Sequence, residues 1–213
     1  ICSMKLTAQI KLCPTKEQEK SLLATLKEAN SACQAISDFA FDKKIFNKYE
    51  LQKRLYYRIK SSFKLSAQMI VRCLGKTSDS YKKDKEIKRI FKKYGGIAYD
   101  SRILSYKTIK QLVSIWTVSG RLKIDYVCGE HQKKMLEYQH GESDLVFVKG
   151  KFYLLATCEI PDEKVNDFED VLGVDFGIVN IATTSDGKTY SGKQTEEIRK
   201  WYFYESYSEL DKG

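Results

Sequence analysis

Long apolar runs, paired cysteines and low-complexity tracts are missing from this sequence of 213 residues. No hydrophobic stretch approaches the roughly 18 residues that a membrane-spanning helix needs, so we predict no membrane segment. The first residues lack the apolar core and cleavage-like site of a signal peptide. The six cysteines are scattered without a C-x-x-C pair. This pattern predicts reduced thiols and a cytoplasmic location.

Positive charge is what the chain has in excess. Lys and Arg total 37 against 28 Asp and Glu, which gives a formal net charge of +9 at pH 7. Such a surplus favours polyanionic partners, most often nucleic acid or an anionic membrane surface. The hydrophobic fraction of 42% is that of a folded domain and excludes a disordered chain.

The first half of the sequence predicts one strand and then helices. "KLTAQIKL", residues 5–12, alternates apolar and polar side chains with the period of a half-buried strand. Thr15 and Gln18 form a capping-box pattern that starts a helix. Apolar residues then fall on one helical face, and helical sequence is predicted to continue to about Lys93. That face consists of Leu22, Leu26, Ala29, Cys33, Ile36 and Ala40.

After Gly95-Gly96 the period changes to that of strands. "LVSIWTV" and "RLKIDYV" flank Ser119-Gly120 as one hairpin, and "DLVFV" and "KFYLLATCEI" flank Lys149-Gly150 as another. The first strand has no possible partner until the helices are over. We therefore predict an α+β fold, in which a small antiparallel β-barrel (4–13 and 97–165) carries an inserted helical block (14–96).

The stretch "VLGVDFGIVNIATTSDG" places Asp175 inside what reads as a buried strand. Removing an ionised carboxylate from water at such a position costs on the order of several kcal/mol, unless a cation or hydrogen bonds compensate. Two interpretations follow. Either Asp175 holds a cation such as Mg²⁺, or it accepts hydrogen bonds from the amides around Gly177.

This stretch and the following "YSGKQTEEIRKWYFYESYSELDKG" resemble the start of the RuvC-type, ribonuclease-H-like nuclease domain of the TnpB/OrfB family. Members of that family are insertion-sequence transposases and RNA-guided nucleases related to type V CRISPR effectors. The upstream order of strand, helices and strands is also similar. The resemblance implies a wedge barrel, a recognition lobe at 14–96 and the start of a RuvC-like domain at 169–213. It implies guide RNA and target DNA as partners.

The resemblance assigns one catalytic and metal-binding residue, Asp175, which matches the family's first metal-binding aspartate. The family's second and third carboxylates have no counterpart in this sequence. We therefore expect the amino-terminal portion of an RNA-guided DNA endonuclease, in a truncated form that does not cut DNA alone. Mg²⁺ would be the cofactor only of the complete protein, because one carboxylate cannot clamp two metal ions.

Two basic segments, "YELQKRLYYRIKSSF" and "YKKDKEIKRIFKKY", interleave cations with aromatic rings. Cations of this kind neutralise phosphates and rings stack on unpaired bases, although such a run also fits a plain solvated helix face. In the resembling family, sequence is read by guide pairing. The predicted nucleic-acid-binding residues are Lys53, Arg54, Arg58, Lys82, Lys83, Lys88, Arg89, Lys92 and Lys93.

Other functions remain as alternatives. A non-catalytic nucleic-acid-binding module, or an RNA-guided DNA-binding regulator, would explain the charge without cleavage. A sugar-kinase or actin-like ATPase is disfavoured, because Ile178 and Val179 stand where that fold has hydroxyl residues. A zinc site at Cys128, His131 and His140 matches no common ligand spacing, so no zinc is expected.

Overall fold

The computed structural model describes residues 3–161, 172–177 and 179–210. The chain forms two compact units, Ile1–Asp162 and Glu163–Gly213. The described residues form ten strands, five α-helices and one 3-10 turn at Thr108–Lys110. The fold is therefore α+β, as predicted.

The first unit is built on seven antiparallel strands. They are β1 (Ser3–Cys13), β2 (Ile97–Tyr99), β3 (Leu104–Lys107), β4 (Leu112–Thr117), β5 (Gly120–Val127), β6 (Gln139–Val148) and β7 (Lys151–Pro161). Their order in the sheet is β2-β6-β7-β1-β5-β4-β3. Both predicted hairpins, β4–β5 and β6–β7, are confirmed.

Strand β1 lies in the middle of this sheet, between β7 and β5. Leu6 is paired with Cys158 on one side, and Lys11 with Val127 on the other. Its alternate side chains Ala8, Ile10 and Leu12 are buried. The prediction that the first strand finds its neighbours only after the helices is thus confirmed.

The two edges of the sheet approach each other, which makes it a nearly closed barrel. The Tyr106 hydroxyl of β3 donates a hydrogen bond to Ser143 Oγ of β6 at 2.9 Å. The Tyr99 hydroxyl of β2 similarly donates to the Trp116 carbonyl of β4 at 3.1 Å. Side-chain hydrogen bonds therefore join strands that share no backbone ladder. We call the seven strands the barrel.

Four helices accompany the barrel: α1 (Lys16–Lys43), α2 (Lys48–Ser62), α3 (Ala67–Ser80) and α4 (Glu130–Glu137). The capping box at the start of α1 is confirmed, because Gln18 N–H donates to Thr15 Oγ1 and Thr15 N–H donates to Gln18 Oε1. All six apolar residues predicted to share one face of α1 are buried. The short helix α4 was not predicted from the sequence.

The prediction that helix continues to Lys93 is wrong. Helix α3 ends at Ser80, and residues 81–96 follow without regular secondary structure. We call residues 81–96 the strap, because they are tied to the side of α1. Two to three successive turns of that helix, from Asn30 to Asp38, supply the side chains that hold it.

The strap is not helical because α1 side chains satisfy its backbone polar groups instead of the helical hydrogen-bond ladder. Each contact joins an α1 side chain to strap backbone, at distances of 2.8 to 2.9 Å. Asn30 Nδ2–H donates to the Gly95 carbonyl, and Ser37 Oγ–H donates to the Arg89 carbonyl. Gln34 Oε1 accepts a hydrogen bond from the Phe91 N–H.

The second unit contains strands β8 (Val174–Asp175), β9 (Asn180–Thr184) and β10 (Thr189–Ser191), followed by helix α5 (Lys193–Leu210). The strands form an antiparallel sheet in the order β10-β9-β8. The predicted Ser-Asp-Gly turn lies between β9 and β10, where Gly187 has a φ of +87° that favours glycine. The predicted helix at the end of the sequence is confirmed as α5.

The prediction that Asp175 lies in a buried strand is wrong for the described residues. Strand β8 has only two residues, and Val174 is 45% exposed. Its neighbours Leu172 and Phe176 are 57% and 76% exposed. An apolar run predicts burial only where other elements cover the strand, and three short strands provide little cover.

None of the helices in the described ranges combines the length and the apolar character that crossing a bilayer requires. The longest of them, α1, has polar residues along the side that faces away from the core, and Glu17 and Glu19 in its first turn.

Candidate nucleic-acid interface

Helix α2 exposes a basic side because its aliphatic residues point inward. Leu51, Leu55 and Ile59 recur every four residues and are buried. The intervening positions Lys53, Arg54 and Arg58 are exposed, as predicted residues of a binding surface should be. Arg54 forms an i,i+4 ion pair with Glu50, with Nε and Oε2 3.5 Å apart. Lys53 and Arg58 make no ion pair with any described residue.

The strap adds a second row of exposed cations. Lys83, Lys92 and Lys93 are exposed and make no ion pair within the described part of the chain. Lys82 Nζ lies 2.7 Å from Asp79 Oδ1. These lysines are therefore exposed although the strap has no helical periodicity that would place them on one face.

Lys88 has a carboxylate partner on α1. Its Nζ lies 2.8 Å from Asp38 Oδ1. This hydrogen bond lowers the pKa of Asp38 and raises the pKa of Lys88, because each charged form stabilises the other. Lys88 thus helps to hold the strap against α1.

Arg89 faces the protein rather than solvent. Its Nη2–H donates to the Asp84 carbonyl at 2.8 Å, and its guanidinium lies 5.8 Å from the centre of the Tyr81 ring. Its own N–H donates to the Tyr81 hydroxyl at 3.1 Å. Of the nine predicted binding residues, Arg89 is therefore the one that is built into the strap.

The aromatic rings of the strap contact other residues of the fold, although Tyr94 stays 38% exposed. Tyr81 is fully buried and shares a 2.7 Å hydrogen bond with Ser37 Oγ. Phe91 is half-buried beneath Lys76, and Tyr94 packs edge-on against Phe147 with ring centres 6.0 Å apart. These three rings, which the sequence placed among the cations as stacking candidates, are thus engaged within the fold.

A depression lies where the start of α2 meets the strap. It has a volume of about 450 Å³, and its lining includes Lys48, Tyr49, Lys82 and Lys85. Lys48 and Lys85 were not singled out from the sequence. Lys85 lies inside the basic run "YKKDKEIKRIFKKY", so the sequence could have predicted that it lines this depression. Lys48 precedes both basic runs, and only the fold brings it to the depression.

A second groove, of about 420 Å³, runs between α3 and β6 and has mixed charge. Arg72 forms an ion pair with Glu142 across it. Lys76 Nζ donates to Asn30 Oδ1 and to the Gly96 carbonyl, both at 2.8 Å. Burial raises the pKa of Asp144 on the β6 side. Carboxylates on one wall make this groove a poor phosphate site.

Asp175 lies opposite Thr183 at the edge of the second sheet. The Gly177 N–H donates to the Asn180 carbonyl at 3.1 Å and is therefore not available to the Asp175 carboxylate. Within the described residues that carboxylate makes no hydrogen bond or ion pair. Of the amides around Gly177 that could bind Asp175, the Gly177 N–H is therefore engaged elsewhere, and Ile178 lies outside the described residues, so the interpretation stays a prediction.

The residues around Asp175 do not by themselves fit a magnesium ion. Mg²⁺ requires near-octahedral oxygen coordination and protein sites usually supply more than one carboxylate or phosphate. The described ranges contain no group of three or more His, Cys, Asp or Glu that could hold a metal. We therefore derive no cleavage step from this geometry.

The residues of the disfavoured zinc interpretation lie on different elements. Cys128 directly follows β5, His131 is exposed in α4, and His140 is exposed in β6. The five cysteines in the described ranges are free thiols, with Cys33, Cys73 and Cys158 buried.

Comparison with known proteins gives no family. No protein-family model matches this chain, and no curated protein matches it. The resemblance to TnpB/OrfB proteins therefore stays a prediction, which depends on the residues around Asp175 and on the order of the elements.

Proposed function

We propose that this chain binds guide RNA and target DNA through α2 and the strap, as the amino-terminal portion of a transposon-encoded, RNA-guided DNA endonuclease. One observation carries the proposal. Five of the predicted cations on these two neighbouring elements are exposed and make no ion pair with a described residue: Lys53, Arg58, Lys83, Lys92 and Lys93. Lys60 and Lys85 on the same elements share both properties.

Phosphate binding explains such a surface better than stability does. Exposed ion pairs contribute only about 0–1 kcal/mol, so a protein gains little by crowding cations for internal pairing. A phosphate backbone, in contrast, releases condensed counterions for each phosphate that a Lys or Arg neutralises. The net charge of +9 adds a long-range attraction of the same sign.

The arrangement of elements supports the family part of the proposal. The resemblance implies a wedge barrel with a recognition lobe inserted after its first strand, and helices follow β1 in this order here. The RuvC-like identity of the second unit and a cytoplasmic location belong to the same proposal. Asp175 would be one Mg²⁺ ligand of the complete nuclease, and we expect the 213 residues alone not to cut DNA.

A second candidate function is a nucleic-acid-binding regulator without catalysis. It rests on the same exposed cations of α2 and the strap, which can neutralise phosphates without any cleavage site. An experiment on the complete protein, which the first candidate implies is a nuclease, distinguishes the two candidates. There, Asp175→Ala should abolish Mg²⁺-dependent cutting and leave nucleic-acid affinity unchanged, whereas a regulator shows no cutting to abolish.

The binding surface is tested by replacing the five predicted cations without an ion pair with Gln and measuring RNA and duplex DNA affinity by fluorescence anisotropy over a range of salt. We expect the logarithmic salt slope to fall by roughly 0.7 to 0.9 for each phosphate contact removed. The matched control removes the same charge from exposed lysines elsewhere in the first unit. The control residues are Lys16, Lys20, Lys27, Lys123 and Lys151.

Two results would contradict the proposal. A flat salt response of the unaltered chain would exclude phosphate neutralisation as the main source of affinity. An equal loss in the control variant would show that net charge matters and that the surface formed by α2 and the strap does not.

A further inference from the structure

Two tyrosines on the outer side of α2 have no place in the fold or in phosphate binding. Tyr49 is 78% exposed and Tyr57 is 79% exposed. They are eight residues apart, which corresponds to about 12 Å along the helix axis. Lys53 lies midway between them, and all three fall within about 80° of the helix circumference.

The Tyr57 ring is restrained although it is exposed. It packs edge-on against Tyr56, with ring centres 5.3 Å apart and planes at 86°. Lys60 Nζ lies 6.0 Å from the centre of the Tyr56 ring. A ring that is held in place loses less conformational freedom when a ligand stacks on it.

The charge around these rings is positive. Helix α2 contains five basic residues and a single acidic one, Glu50, which pairs with Arg54. A protein partner would have to desolvate Lys53 and Arg58 in order to reach the rings. A polyanion with flat apolar groups satisfies the cations and the rings together.

We propose that Tyr49 and Tyr57 are a stacking platform for unpaired bases, so that α2 binds a single-stranded segment of nucleic acid in preference to a duplex. The inference rests on the proposed function. Bases in a duplex stack on one another and offer only their edges, whereas the faces of unpaired bases are accessible to aromatic side chains. Lys53 then contacts the phosphates of the intervening nucleotides.

The spacing of the rings sets which bases they hold. Successive bases of a stacked strand are about 3.4 Å apart, so two rings about 12 Å apart serve bases roughly three to four positions from each other. Stacking of this kind does not read sequence, because every base has a π face. The platform therefore holds a strand without selecting it.

The test compares two probes with equal numbers of phosphates, a short oligouridylate and an abasic oligomer of the same length. We expect the unaltered chain to prefer the oligouridylate by about tenfold for each engaged ring. The double variant Tyr49→Ala/Tyr57→Ala should bind both probes equally, with an unchanged salt slope. Tyr49→Phe/Tyr57→Phe should keep the preference, because it keeps both rings.

Tyr138→Ala is the matched control, since Tyr138 is 45% exposed but lies outside α2. Its variant should keep the base preference. Equal binding of both probes by the unaltered chain would overturn the inference while the salt dependence still supported phosphate binding. If neither probe binds with a salt-dependent affinity, the proposed function itself fails. Reduced self-association of the Ala variant without a change in base preference would make α2 a protein contact and overturn the platform.

Discussion

The two units of the chain each begin their sheet with a strand that the sequence predicts, but only one of these strands is buried. Strand β1 has 11 residues and neighbours on both sides, and its residue Ile10 is fully buried. Strand β8 has two residues and one neighbour, and Val174 is 45% exposed. Local sequence favours a strand in both places.

The difference teaches that burial depends on partners that are distant in sequence. Ile10 lies opposite Leu154 in β7, and Leu154 in turn lies opposite Leu145 in β6. These three side chains share one core with the helices. Val174 in β8 has the same intrinsic preference for the interior, but the described residues of the second unit cover it far less.

The largest expected effect comes from a substitution in the buried core of the first unit, compared with a matched substitution in the second unit. Leu154→Ala removes a fully buried side chain from the barrel and should lower the free energy of unfolding of the first unit by about 2–5 kcal/mol. Ile181→Ala in β9 is the matched change in the second unit, where the residue is 44% exposed. It should cost less than about 0.5 kcal/mol.

Urea denaturation of each variant, followed by far-UV circular dichroism, measures both values. Equal losses in the two variants would mean that Ile181 is as well packed as Leu154. The comparison between the units would then be wrong.

Much of the first unit could be predicted from the sequence because its signals are local. The alternation in β1, the capping box at Thr15 and the glycine turns between hairpin strands each act within a few residues. The strap could not be predicted in this way. Its basic run is compatible with a helix, and the hydrogen bonds that prevent one come from Asn30, Gln34 and Ser37, more than fifty residues away in sequence.

The candidate interface was predicted in part for the same reason. The spacing of Lys53 and Arg58 on an amphipathic helix shows that both are exposed. The inward direction of Arg89 depends on Tyr81 and Asp84 in an irregular segment, for which no periodic pattern exists. The exposure of β8 depends on what covers it, which a strand pattern alone does not specify.

The second prediction concerns the strap, which we expect to be held to the first unit by buried hydrogen bonds. Tyr81→Phe removes a hydroxyl that shares a hydrogen bond with Ser37 and accepts one from the Arg89 N–H. Leaving these buried groups unpaired should cost about 1–3 kcal/mol. Limited trypsin digestion should also cut at the strap lysines faster than in the unaltered chain.

Tyr49→Phe is the control for this change, because the exposed Tyr49 ring makes no contact on which the strap depends. It should leave both the unfolding free energy and the digestion rate unchanged. A strap that is cut equally fast in all three proteins would not depend on the Tyr81 hydroxyl.

The smallest expected effect compares one ion pair in each unit, Lys88–Asp38 in the first and Lys188–Asp186 in the second. The hydrogen bond from Lys88 lowers the pKa of Asp38 below its ordinary value of 3.8, and the hydrogen bond from Thr184 does the same for Asp186. A lowered pKa in the folded state contributes stability above the ordinary pKa and loses it as pH falls through the lowered value. Asp38→Asn should therefore weaken attachment of the strap at neutral pH and make no difference in strong acid.

Hydrogen exchange of strap amides, compared between Asp38→Asn and the unaltered chain at each pH, measures this contribution. Asp186→Asn should instead affect amides of the turn between β9 and β10, with the same dependence on pH. An effect of Asp186→Asn on the strap would show that the second unit's charges act on the first. An effect of Asp38→Asn that persisted below the lowered pKa would show that the amide differs from the carboxyl group in more than charge, and the ion pair would not be what attaches the strap.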